Sequence, residues 1–297
     1  MNRFATGPVT VTVPATSANL GPGFDALGLA LGLSDEVTAE ITGGGVHVEV
    51  TGEGEGVLPG DERHLVAQAA MRAFDVLGAR PDGLRLYCRN AIPQARGLGS
   101  SSAAIVAGVT LAAALTPGVE FPLAERVRLA AEIEGHPDNV APCLLGGFTI
   151  AWTEADGSRA VRLEPDPRVR PVVYVPDDHG FTAHARAALP GRVPHVDAAF
   201  NAGRSALLVH AITAAPELLL AATDDRLHQQ YRAPAMQASA QLVADLRGKG
   251  VPAAVSGAGP SVLAFGDAPM DVDGFRAYRL AVADGAKTPT TNRASTV

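Results

Sequence analysis

The sequence predicts an α+β protein in two domains, on three features. Runs of Val, Ile and Thr with a period of two mark short strands in both halves. Stretches rich in Ala and Leu with helical spacing lie between them, and the two kinds follow one another without a regular strand–helix–strand order or an internal repeat. A length of 297 residues suffices for one large or two ordinary domains. The division is expected at 1–155 and 156–297, with a shared interface near residues 153–170.

Residues 9–14 alternate Val with Thr and end at Pro14, as a half-buried strand does. Residues 37–41 and 46–50 alternate again around Gly43, Gly44 and Gly45, which predicts a hairpin. A glycine-rich, acidic loop over 53–61 leads into a helix over 64–77, with Leu65, Ala69, Ala73, Val76 and Leu77 in helical spacing and Gly78 as its stop. A short strand over 84–88 precedes an alanine-rich helix over Ser100–Leu115, broken at Thr116, Pro117 and Gly118. A helix over Leu123–Glu134 follows, then a strand reaching Trp152 after Gly146 and Gly147. The second half reads as a strand over 172–175, helices over 202–213, 216–222 and 234–247, and strands over 251–255 and 262–265 joined by a loop over 256–261. Residues 287–297 carry no apolar pattern and are expected to fray.

Composition excludes several classes. The chain is 47% hydrophobic and 19% charged, the profile of a soluble globular protein. No apolar run reaches the ~20 residues of a membrane helix, and no secretory signal opens the chain, so a cytoplasmic location is expected. The only cysteines, Cys88 and Cys143, form neither a disulfide framework nor a metal cluster. His47, His179, His195 and His210 lack zinc spacing. A net charge of −7 without a basic tract argues against nucleic acid. A polyanionic substrate would have to be held by local backbone dipoles and a cation.

Residues 93–103 read Pro-Gln-Ala-Arg-Gly-Leu-Gly-Ser-Ser-Ser-Ala. Gly97 and Gly99 let the backbone come close to a ligand, and three serines then open a helix whose free N–H groups and dipole attract anions. A plain capped turn needs only one serine, so the stretch exceeds what capping requires. No Gly-Lys-Ser/Thr follows, which excludes a Walker loop, and a dinucleotide fingerprint lacks its third glycine. The composition of the segment is that of a main-chain phosphate cradle.

Residues 93–103 resemble the phosphate loop of the GHMP kinases, Pro-x-Gly-x-Gly-Leu-Gly-Ser-Ser, with Ala95 standing where that pattern has glycine. If the backbone there needs positive φ, alanine costs about 1 kcal/mol. Two further segments match in order: residues 14–27 (Pro-Ala-Thr-Ser-Ala-Asn-Leu-Gly-Pro-Gly-Phe-Asp-Ala-Leu) resemble the N-terminal signature of the homoserine kinase family, and residues 256–261 (Ser-Gly-Ala-Gly-Pro-Ser) the superfamily's C-terminal glycine loop. The likeness extends over roughly residues 9–286. It implies the two-domain GHMP fold, with a half like ribosomal protein S5 domain 2 that binds ATP and a ferredoxin-like half. By the same resemblance Pro93, Arg96, Gly97, Leu98, Gly99, Ser100, Ser101, Ser102 and Ala103 hold ATP.

Residues 136–142 (His-Pro-Asp-Asn-Val-Ala-Pro) are similar to the family's His-x-Asp-Asn-Val-Ala-Pro, and Asn139 falls where mevalonate kinases carry a catalytic aspartate. An amide orients a hydroxyl but takes no proton, which phosphoryl transfer tolerates because positioning and charge stabilisation govern it. The bland alternative is a turn between helix and strand, and Asp138 is a rival base. Residues 182–190 and 228–232 resemble family stretches bearing arginines, which implies that Arg186 and Arg232 grip a carboxylate, with Thr182 nearby and Asn19, Asp25 and His136 around the amino end. Phe181 departs from the family's serine.

For Mg²⁺ the resemblance favours Glu132 with Ser102, and Glu134 competes because the segment before His136 is three residues short. The implied substrates are ATP and L-homoserine and the implied product O-phosphohomoserine; a homodimer is expected by analogy alone. Rival readings are a kinase for another small amino alcohol, mevalonate or a sugar, and a silent ligand-binding relative, motivated by Ala95 and Phe181.

Overall fold

The computed structural model describes residues 3–177 and 187–288. The first half builds a six-stranded sheet from β1 (Val9–Asn19), β2 (Gly23–Thr42), β3 (Gly45–Gly52), β4 (Gly83–Asn90), β5 (Phe148–Glu154) and β6 (Gly157–Leu163). Its order is β3-β4-β2-β5-β6, with β1 paired to β2 off that path. Helices α1 (Leu65–Val76), α2 (Ser100–Leu115), α3 (Leu123–Glu134) and α4 (Val140–Leu145) pack in this half. The helices expected over Ser100–Leu115 and Leu123–Glu134 stand at those bounds, whereas α4 and β6 carry no clear sequence signal.

The expected hairpin between residues 37–41 and 46–50 does not form. β4 enters between the two strands, antiparallel to β2 and parallel to β3, with Val37 opposite Cys88 and Val46 beside Leu84. Period-two alternation marks a strand but does not choose its neighbour. The parallel β3–β4 pair needs a crossover, and α1 supplies it. His64 caps α1, its Nδ1 accepting from the Val66 N–H.

In the second half, β7 (Pro171–Pro176), β8 (Ala253–Val255), β9 (Val262–Phe265) and β10 (Phe275–Arg279) form an antiparallel sheet ordered β10-β7-β9-β8. With it pack α5 (His195–Thr213), α6 (Leu219–Ala222), α7 (Gln229–Arg232) and α8 (Gln237–Gly248). The α+β class is therefore the one found. β7 and β9 are buried on both faces: Val173, Leu263 and Phe265 join the large core that also holds Val11, Leu29 and Phe74, while Val172, Tyr174, Val262 and Ala264 pack with Leu242 and Leu246 of α8.

The chain then returns to the first sheet. Gly32 N–H donates to the Ala281 carbonyl, Ala283 N–H to Ala30, and Thr12 and Lys287 exchange backbone bonds of 2.9 Å in both directions. Lys287, expected to begin a frayed tail, is thus paired; residues 289–297 lie outside the described residues. The first sheet also runs past residue 155, since β6 pairs with β5 from Glu154–Gly157 to Phe148–Leu163.

Candidate functional site

Three glycine-bearing segments, far apart in sequence, interlock. Thr16 N–H donates to the Leu98 carbonyl, Gly257 N–H to Ala18, and Ser261 N–H to Arg96. The buried Ser256 hydroxyl lies 2.8 Å from Ser17 Oγ and 2.7 Å from the Gly97 carbonyl. A Cβ on Gly97 would stand 2.3 Å from the Ser256 carbonyl oxygen, so this contact admits only glycine. The junction borders a cavity of about 270 Å³.

The stretch from Ala95 to Ser101 lines one wall of that cavity. Gly97 and Gly99 have φ of 75° and 69°, and Ala95 itself sits at 53°, so the strained conformation that glycine would relieve is adopted. α2 begins at Ser100, and its first N–H groups, unpaired within the helix, face the loop end. Arg96 fastens the loop to the second half, donating through Nε to the Pro176 carbonyl at 2.9 Å and through Nη2 to Asp177. Leu98 lines the cavity although it is almost wholly buried, whereas Pro93, Ser102 and Ala103 do not line it, and Ser102 and Ala103 are buried.

Asn19, Asp25 and Arg232 line the same cavity. Asn19, Leu20 and Asp25 all hold positive φ, and Asn19 ties the turn together, accepting from Asp25 N–H at 3.0 Å and donating to the Gly257 carbonyl at 2.9 Å. Arg232, 2% exposed, ends α7 beneath the Phe24 ring. Its Nη1 donates to His228 Nδ1 at 3.1 Å, while His228 Nε2–H donates to the Gly21 carbonyl at 2.7 Å. Burial pushes the His228 pKa down, opposed by Asp225, so a neutral imidazole relays Arg232 to the N-terminal loop. Thr182, Arg186 and Phe181 lie outside the described residues.

His136, Asp138 and Asn139 line the cavity as well. His136 Nδ1–H donates to Asp138 Oδ1 at 2.7 Å; the buried Asp138 orients the imidazole, which is its structural role in the turn. Asn139 precedes α4, and its Oδ1 accepts from the Thr16 hydroxyl at 2.8 Å. Thr16 is buried behind it and was missed by sequence reasoning, because a Thr inside a strand carries no signal of its own.

Of the two glutamates weighed as a metal carboxylate, Glu134 lines the cavity and Glu132 does not. Glu132 points outward, its side chain 60% exposed and paired with Arg72 at 3.0 Å. Glu134 faces the cavity, accepting from Ser101 Oγ at 2.6 Å and Ser102 Oγ at 2.8 Å. Two residues on a helix turn the side chain through about 200°, so only one of the pair can face inward.

A second cavity of about 400 Å³ meets the first at Ala95, Ser100 and Ser101. Apolar residues such as Val13, Val37, Leu58 and Val66 dominate its lining, with Asp35 and His64 among them. His64 Nε2 is buried without a protein partner. Burial pushes Asp35 up to about 6, against the backbone N–H groups of Ile92 and Ala91 and with help from Glu53.

Two sheets joined by three interlocking glycine segments beside a cavity define a small-molecule kinase of the GHMP type. The family model described as "GHMP kinases N terminal domain" matches residues 64–147. The homoserine kinase of Streptomyces coelicolor is 59% identical over 267 residues, 89% of this chain and 86% of that one. That of Streptomyces avermitilis is 56% identical over 288 residues, 94% of each chain. The crystal structure of homoserine kinase from Cytophaga hutchinsonii superposes with a TM-score of 0.84 at 26% identity, covering 97% of this chain and all of that one. The chain belongs to the homoserine kinase family.

Proposed function

We propose that this protein transfers the γ-phosphoryl group of ATP to the side-chain hydroxyl of L-homoserine, giving O-phospho-L-homoserine and ADP for threonine biosynthesis. The observation that carries the reading is a single cavity in which the main-chain cradle and Glu134 face Asn19, Asp25, His136, Asn139 and Arg232. The cradle receives the phosphates through N–H groups, which reconciles an acidic chain with a polyanionic substrate. The adjoining apolar cavity receives the nucleobase, with His64 Nε2–H as a buried donor. Arg232 attracts the substrate carboxylate, together with Arg186, and Asp25 and Asn19 attract its ammonium group. We assign ATP binding to the N-terminal unit and end that unit at Leu163, where the first sheet ends.

Glu134 with the hydroxyls of Ser101 and Ser102 offers the hard oxygen donors that Mg²⁺ favours, and these residues would hold it. The ion supplies charge neutralisation for the phosphoryl group. In the transfer, the bond from the γ-phosphorus to the bridging oxygen breaks and a bond to the homoserine oxygen forms. The hydroxyl proton leaves with the product phosphate or to water. No side chain here is assigned as a base, since a loose transition state rests on alignment and charge.

A coupled ADP-release assay over homoserine, threonine, serine, mevalonate and galactose tests the reading. Turnover confined to homoserine is expected; comparable turnover on several would overturn the substrate assignment. Light scattering at assay concentration reads the homodimer expected by analogy.

A further inference from the structure

An asparagine at a reacting centre can present either end of its amide, and the two ends do opposite things. The carbonyl accepts a proton donor such as a hydroxyl, whereas the NH₂ group donates to oxygen. We propose that Thr16 is a positioning residue for the transfer: its hydroxyl holds the Asn139 carbonyl away from the reacting atoms, so that the amide NH₂ faces the cavity. This rests on the function proposed above, with the transfer taking place beside Asn139 in the cavity that it lines.

Three segments converge to make the arrangement. Thr16 is set by β1, where it pairs with Ala30 and its N–H reaches the Leu98 carbonyl. Its hydroxyl donates to Asn139 Oδ1 at 2.8 Å, and Asn139 lines the cavity while Thr16 stands fully buried behind it. Gly99 closes the group: a Cβ there would lie 2.0 Å from Thr16 Oγ1 and 3.2 Å from Asn139 Oδ1. The phosphate loop therefore needs glycine at this position both for its φ of 69° and to leave room for this hydrogen bond.

Two physical reasons fix the direction of the bond. A buried hydroxyl must place its proton on an acceptor, and Asn139 Oδ1 takes it; a turned amide would leave that proton without this partner. Asn139 also lines the same cavity as the first residues of α2, where phosphoryl oxygens gather in the proposed reaction. An NH₂ group there adds to the array of donors, while a carbonyl would repel the developing charge. Asn139 thus acts as a donor to oxygen and not as an acceptor of the hydroxyl proton.

Steady-state kinetics of the full chain test this in a cycle with Asn139→Ala. Thr16→Val, which keeps the shape and removes the hydroxyl, should lower kcat about tenfold or more while both KM values stay within about twofold. Thr16→Ser should restore kcat, because it returns the hydroxyl. In the Asn139→Ala background, adding Thr16→Val should change kcat by less than about twofold, since Thr16 acts through Asn139. Multiplying losses, an unchanged kcat in Thr16→Val, or no rescue by serine would overturn the inference and leave the site reading standing. Should the valine protein fail to fold, Thr16→Cys, a much weaker donor, takes its place with the same outcomes. Unchanged kcat in Asn139→Ala alone would instead remove Asn139 from the reacting end, and the site reading with it.

Discussion

Glu132 and Glu134 differ by two positions in sequence and by the whole width of α3 in space. The outward carboxylate pairs with Arg72 at the surface, where such a pair contributes little, whereas the inward one gathers two serine hydroxyls. Glu134→Gln should therefore cut kcat by about 100-fold, with partial relief at high Mg²⁺, while Glu132→Gln should leave kcat within about twofold. Initial rates over a Mg²⁺ series read both. Asp35 gives a residue-scale prediction of another kind. Its carboxyl is raised from an ordinary 3.8 to about 6, chiefly by burial. The folded state holds this proton more tightly than the unfolded chain, so the contribution is full below about pH 4 and is lost as pH rises through about 6. Asp35→Asn keeps the acceptor for Ala91 and Ile92 but cannot ionise. Its stability relative to the parent should rise by about 2–3 kcal/mol between pH 4 and pH 7. Urea denaturation of both proteins across that range measures the difference.

Among the elements, the glycine loops act as matched surfaces rather than as separate motifs. The Gly97 Cα faces the carbonyls of Ser256 and Gly259, both main chain and unable to move aside like a side-chain tip. Gly97→Ala should destabilise the fold by about 2–4 kcal/mol, from positive φ and overpacking together. Gly43, with nothing within 4 Å of its Cβ position, should accept alanine within about 0.5 kcal/mol. Thermal unfolding of the two variants, with nucleotide titration of Gly97→Ala, checks the contrast. Helices follow the same logic: Gly108 brings α2 onto α1, since a Cβ there would lie 2.4 Å from the Val66 carbonyl oxygen. An alanine-rich α2 is thus suited to close packing as well as to helix formation.

At the scale of the whole molecule, one core and one returning segment hold the halves together. The core passes from the first sheet through Val173, Leu208 and Leu263 of the second half without a break. After β10 the chain bonds to Ala30, Gly32, Gly147, Cys143 and Thr12. Ending the chain at Arg279 should remove these bonds at about 0.5–1.5 kcal/mol each and lower the unfolding midpoint. Calorimetry of the shortened protein against the full chain measures it. Activity should fall as well, because Thr12 shares β1 with Thr16 and the Cys143 N–H donates to the Asn139 carbonyl.

Sequence alone determined what short-range chemistry controls. The spacing of apolar residues marked α2 and α3 at their bounds, Gly97 and Gly99 marked positions of positive φ, and Ala95 was legible as a position of strain whose φ of 53° bears out the condition set for it. The three segments in order also pointed to the family. Tertiary structure decided whatever depends on neighbours distant along the chain. Period-two alternation is the same for any pairing, so only packing could place β4 between β2 and β3. A helix presents opposite faces every two residues, so only the burial of Val127, Leu129, Ala130 and Ala131 could turn Glu134 inward. Thr16 meets Asn139 across 123 residues, a contact that no local pattern encodes and that exists only because β1, the cradle and α4 converge.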